Sequence, residues 1–268
     1  MVPEDVIETL KSATVGADGI RALFLGGSHG AGRADDWSDL DFVLVAEDGA
    51  CDATAAIWRT AVEQVGEIIL WWDRTTVPVL INAITADWTR IDVLMLTPDQ
   101  LGGQTQDRLI PLFDHDDLFA GLAAAAAASR PDPKRLRRNV EEFIRILGLL
   151  PLSVGRAEYI NGVLGVFHLR NQLVDLMIAE TAVPDRGGML TLNRLLTEEQ
   201  RAALTAMPAP EATREAMIAG HMTYAAEFLP RARRLARTLR VDWPERFEAC
   251  TWARLNEMLA LEKPYSAD

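Results

Sequence analysis

The sequence predicts an α+β protein in two parts, a strand-bearing α/β front half built on a mixed sheet and an all-helical back half. Three observations carry this reading. Runs of strand length rich in β-branched residues crowd the first hundred positions, apolar spacings of three and four dominate the last half, and a proline-rich break separates them. With 268 residues, 49% of them apolar, each half can bury a core of its own.

Pro3 to about Val15 places Val6, Ile7, Leu10 and Ala13 at helical spacing behind an acidic first turn, so a short amphipathic helix is expected. Strands are expected at Arg21–Leu25, Asp41–Ala46, Glu67–Trp72 and Ile91–Leu96, with a fifth at Val77–Ala86 and a helix at Asp52–Val65. Leu122–Ala128 contains six consecutive alanines, strong helix formers, and the chain then breaks at Arg130-Pro131-Asp132-Pro133. The boundary is set there, giving domains 1–130 and 131–268. Downstream, Pro133–Leu150, Arg156–Glu180, Glu211–Val241 and Pro244–Leu261 read as long helices, punctuated by Pro151, Pro184, Gly187-Gly188, Pro208 and Pro210. A bundle of four or five helices follows, and no internal repeat interrupts it.

Charge narrows the function classes. Residues 1–130 hold 8 Lys+Arg against 21 Asp+Glu, while residues 131–268 hold 19 against 18. So acidic a front half disfavours a phosphate backbone as substrate and suits a cationic small molecule. The first thirty residues have no charged start followed by an apolar core, and no apolar run approaches the roughly 20 residues that span a bilayer. A soluble, cytoplasmic protein is expected. Cys51 and Cys250, far apart and without histidine partners, read as reduced thiols.

The chemistry concentrates in Leu23–Val45, LFLGGSHGAGRADDWSDLDFVLV. An apolar strand ends in Gly26-Gly27-Ser28, where backbone N–H groups can approach phosphate oxygens and a hydroxyl adds a donor. Ten residues on, Asp39-Leu40-Asp41 opens a second strand whose period of two directs both carboxylates to one face. Such neighbours repel unless a hard cation lies between them, which magnesium, held by one or two carboxylates plus substrate phosphates, supplies. Asp92 puts a third acid within an apolar strand, where it needs a partner. Each feature alone has a plainer reading, as a glycine turn, a solvated strand edge or a polar strand end. Order, spacing and strand setting together favour a site.

On Gly27-Ser28, Asp39, Asp41 and Asp92 the chain resembles the nucleotidyltransferase superfamily that includes DNA polymerase β and the antibiotic nucleotidyltransferases. Its two-part plan resembles the aminoglycoside and lincosamide enzymes. The resemblance implies a transferase that moves a nucleoside monophosphate from ATP or another nucleoside triphosphate to a hydroxyl, with one or two Mg2+ held by Asp39, Asp41 and Asp92. Gly27, Ser28 and Ser38 would bind the nucleotide. Several relatives carry glutamate at the third acid, so Asp92 is either general base or metal ligand alone.

Acceptor recognition is expected from the helical half, where Glu158, Asn161, His168, Asn171 and Asp175 recur along one helix face. Glu141 and Glu142 are further candidates for a base. Trp71-Trp72 invites stacking, with one ring in the core and one outside. His29 follows the phosphate turn, and Arg231, Arg233, Arg234, Arg237 and Arg240 form a basic helix face whose plainer reading is pairing with nearby acids. The leading acceptor is an aminoglycoside- or lincosamide-like antibiotic. The alternatives are a transferase acting on tRNA or protein and a catalytically silent nucleotide-binding module. A homodimer remains open.

Overall fold

In the computed structural model, which describes residues 2–74, 79–126, 130–183 and 191–266, the chain divides into two compact units, residues 1–127 and 128–268. The first unit is built on a six-stranded mixed sheet. Its strands are β1 (Ile20–Leu25), β2 (Leu40–Ala46), β3 (Ile68–Arg74), β4 (Val79–Thr85), β5 (Arg90–Leu96) and β6 (Ile110–Asp114), in the order β3-β4-β5-β2-β1-β6. Only β2 and β5 run parallel; every other neighbouring pair is antiparallel.

Two helices cover one face. Helix α1 (Pro3–Thr14) starts on a proline with Glu4 and Asp5 in its first turn and buries Val6, Leu10 and Thr14, one residue per turn. With α3 (Cys51–Val65) it packs Trp58, Ala61 and Val62 against Phe42, Leu44, Ile91, Val93 and Ile81. The opposite face is shorter of cover. There Ala22, Phe24, Val43, Val45 and Leu96 lie under Leu101 and Leu109 from the connection before β6. That partial cover leaves polar positions of β2, β4 and β5 uncovered.

This unit departs from the sequence reading in two places. The alanine run forms no helix over residues 122–126, and Ala127 and Ala128 lie outside the described residues. The carbonyls of Ala123 and Ala124 instead accept from the N–H groups of Gln106 and Asp107, so tertiary pairing overrides intrinsic propensity. Strand β6, which carries Pro111, was not among the expected strands. The proline is tolerated since β6 is an edge, where a missing N–H costs no ladder bond.

The second unit is all-α among its described residues: α4 (Pro133–Gly148), α5 (Leu150–Gly155), α6 (Tyr159–Thr181), α7 (Leu192–Leu195), α8 (Glu198–Ala206), α9 (Arg214–Leu239) and α10 (Glu245–Leu259). The four long helices match the expected ones, whereas α5, which contains Pro151, and α7 and α8 were missed. Pro184, Gly187 and Gly188 lie outside the described residues. The core joins α4, α6 and α9, where the rings of Phe143 and Phe228 stack 3.9 Å apart. Close approach of α6 and α9 depends on Gly162, whose missing side chain makes room for Met217.

A buried polar cluster closes this unit at its end. Glu248, 2% exposed, accepts from Arg233 Nη2 at 2.6 Å, Trp243 Nε1 at 2.6 Å and Tyr265 Oη at 2.7 Å, and pairs with Lys263 at 2.7 Å. These donors favour the charged form strongly enough to outweigh burial and hold its carboxyl down at about 2.

Candidate active site

Register, rather than sequence distance, assembles the site. Parallel pairing sets Asp41 beside Asp92, antiparallel pairing sets Asp92 beside Asn82, and Asn82 in turn beside Trp72. On the other side the Gly26 N–H donates to the Asp41 carbonyl at 2.8 Å. One row therefore crosses five strands: Gly26, Asp41, Asp92, Asn82, Trp72. Directly paired residues share a face, and this face is the one that α1 and α3 leave uncovered.

The turn after β1 is shaped around a carboxylate. Gly27 has φ of 56°, in the left-handed region, and a Cβ there would overlap the Asp41 side chain. Glycine thus lets the Asp41 carboxylate lie against the backbone of the turn. Ser28 opens the following helical turn, α2 (Gly27–Gly30), and its Oγ is buried without a hydrogen-bond partner. An unpaired buried hydroxyl costs free energy unless a ligand satisfies it. His29 lies in the same turn, half-buried.

The carboxylates are held at high potential. Burial, then the charges of Asp39 and Asp92, push the Asp41 carboxyl up to about 6. Burial also raises Asp92, against the hydrogen bond from Asn82 and the charges of Arg90 and Arg74. Asp39 precedes β2 and pairs with Arg90 Nη1 at 3.3 Å, and Arg90 Nη2 also donates to the Trp37 carbonyl at 2.8 Å. No group of three acidic, histidine or cysteine side chains among the described residues is placed to hold a metal ion. Asp41 and a neighbouring carboxylate, Asp92 on β5 or Asp39 once it leaves Arg90, still offer the two hard oxygen donors that magnesium takes alongside substrate phosphates, and a cation would relieve their mutual repulsion. The donor set, the cradle at Gly27 and the orphaned Ser28 hydroxyl all fit a magnesium-bound triphosphate.

Ser38, expected at the nucleotide, closes a turn. Its Oγ accepts from the Asp35 N–H and donates to Asp35 Oδ1, both at 3.0 Å. Trp71 packs partly into the core beneath Arg59, whereas Trp72 is 54% exposed on the site face with the Arg74 guanidinium 4.2 Å over its ring. Sequence reasoning passed over Asn82 and Arg90. Asn82 was detectable as the lone amide in the apolar run VLINAIT; Arg90 carried no signal until the register of β2 and β5 set it beside Asp39.

The expected acceptor residues all lie in the second unit. Glu142 is paired with Arg145, two contacts of 2.7 Å, at a groove of about 730 Å³ that Glu141, Arg138, Trp243 and Phe247 also line. The charge of His168 on α6 also acts on Glu142. Asp175 binds Arg135 at 3.2 Å, while Glu158 stands exposed before α6. The polar face of α6 also exposes Ile160, Leu164 and Phe167, which the polar pattern alone did not reveal. In the arginine run, Arg231 pairs with Glu180, Glu199 and Glu227, and Arg233 with Glu245 and Glu248. No helix among the described residues is long and apolar enough to cross a membrane.

The chain is similar to several solved structures. An aminoglycoside 6-adenyltransferase from Bacillus subtilis aligns at 14% identity over 95% of this chain and 98% of that one, with a TM-score of 0.44. A nucleotidyltransferase-like protein from Exiguobacterium sibiricum aligns at 11% over 96% and 87%, TM-score 0.34, and the CCA-adding enzyme of Thermotoga maritima at 8% over 100% and 93%, TM-score 0.32. No family model and no curated protein matches the chain. What the chain does must follow from its own site.

Proposed function

We propose that the chain is a magnesium-dependent nucleotidyltransferase that moves a nucleoside monophosphate from a nucleoside triphosphate to a hydroxyl of a small molecule, an aminoglycoside- or lincosamide-like compound. The observation that carries this reading is the packing of the Asp41 carboxylate against Gly27, beside the unpaired Ser28 hydroxyl and the neighbouring Asp92.

The turn at Gly27 and Ser28 binds the β and γ phosphates through backbone N–H groups and the Ser28 hydroxyl. Asp41, joined by Asp39 once it leaves Arg90, would hold magnesium, which when bound neutralises charge on the phosphates and on departing pyrophosphate. Asp92, oriented by Asn82, takes the proton of the acceptor hydroxyl. The acceptor oxygen bonds to the α-phosphorus as the bond to the β-phosphate bridging oxygen breaks, and pyrophosphate leaves with that electron pair. The acidic first unit suits a cationic acceptor.

A pyrophosphate-release screen of each nucleoside triphosphate against aminoglycosides, lincosamides and simple polyols tests the proposal. One acceptor should release pyrophosphate only with Mg2+, and Asp41→Asn should reduce the rate by on the order of 10³-fold. Undiminished turnover in that variant refutes the assignment.

A further inference from the structure

The row Gly26–Asp41–Asp92–Asn82–Trp72 has a direction. If the function proposed above holds, the triphosphate tail lies at the β1 end, over Gly27 and Ser28, and the α-phosphorus lies at the carboxylates of β2 and β5. Phosphoryl and nucleotidyl transfers keep attacking and leaving oxygens roughly in line, so the attacking hydroxyl arrives from the side opposite the departing pyrophosphate. In this sheet that side is β4 and β3.

Two features stand there, Asn82 and Trp72. Asn82 gives a hydrogen bond to Asp92 while its own Oδ1 is buried without a partner, an acceptor left over beside the proposed base. One strand further, Trp72 exposes 54% of its surface on the same face, although a large aromatic on a strand is ordinarily covered. The Arg74 guanidinium stacked on the indole fixes the ring's orientation without burying it. Strand spacing puts Trp72 about 10 Å from Asp92, two strand intervals.

We infer that Asn82 and Trp72 are the acceptor platform of the first unit: a sugar-type ring stacks on the Trp72 indole while one of its hydroxyls donates to Asn82 Oδ1, directing a neighbouring hydroxyl to Asp92. Both are positioning residues, and the nucleobase lies elsewhere.

The test uses the full chain labelled with 5-fluorotryptophan, the Trp72 resonance being assigned from Trp72→Phe. Methyl α-glucoside and glucosamine, added at millimolar concentration with the Mg2+ complex of a non-hydrolysable ATP analogue, should shift the Trp72 signal, and Asn82→Asp should reduce that shift severalfold. The analogue alone should leave it in place, with its calorimetric Kd changed less than twofold by Trp72→Ala. A Trp72 signal that moves with the nucleotide alone, or that neither sugar moves, overturns the platform. Failure of the analogue to bind wild type at all would instead overturn the transferase reading, so the two failures are distinct.

Discussion

Asp41 and Glu248 are both carboxylates drawn out of water, yet their surroundings push them in opposite directions. Glu248 is saturated with donors from Arg233, Trp243, Lys263 and Tyr265, and its carboxyl sits at about 2. Asp41 faces Asp39 and Asp92 and rises to about 6. A carboxylate fully paired by its own chain is a structural fastening, since it ties β-free tail residues to the helical unit. One packed among like charges is destabilising as it stands and gains when a cation arrives.

The largest break in this comparison is Glu248→Gln. Losing the charge leaves two cations facing a neutral amide, and we expect about 3 kcal/mol of lost stability, read as a fall in Tm of roughly 6–12 °C, with nucleotide binding unchanged. A Tm within about 2 °C of wild type would mean that the donors are satisfied without the charge.

Acid titration sharpens it. Glu248 has its folded carboxyl below the ordinary 4.5, so its stabilisation is fully present above that value and is lost as pH falls towards about 2. Asp41, raised from 3.8 to about 6, has the opposite sign: the folded state holds the extra proton, so stability falls as pH rises through that window and recovers on acidification. Denaturant melts from pH 7 to pH 3 should show Asp41→Asn removing the gain between about 7 and 4, and Glu248→Gln removing the loss below about 4.5. Parallel curves for all three proteins would contradict the contrast.

Arg90→Gln is the smallest break. The pair with Asp39 is half-exposed, so stability should change by less than about 1 kcal/mol. Freed of its partner, Asp39 should raise the affinity for Mn2+ severalfold, measured by electron paramagnetic resonance of the free ion; weaker Mn2+ binding would show that Arg90 does not compete with a cation.

Much of the fold was legible because it depends on local pattern. Short runs dense in β-branched and apolar residues located β1 to β5, and three-four periodicity located the four long helices, since strand length and helical period are local properties of the chain. The helix α8 was legible too, through the capping box of Thr197 and Gln200, though that signal went unread. The failures are those in which distant partners decide. Alanines 123–126 surrender their helix propensity to backbone pairing with residues 106 and 107, and Pro111 is acceptable only because β6 is an edge.

The same division holds at the site. By itself the sequence determined that a glycine–serine turn and acidic strand starts exist, because turn chemistry and strand alternation are short-range properties of neighbouring residues. Only the tertiary structure decided that Asp92 stands beside Asp41, that Arg90 occupies Asp39, that Ser38 closes a turn, and that Trp72 rather than Trp71 faces the carboxylates. Those outcomes depend on strand order and register, which are set by the whole sheet's burial of one face and carry no mark in the local sequence.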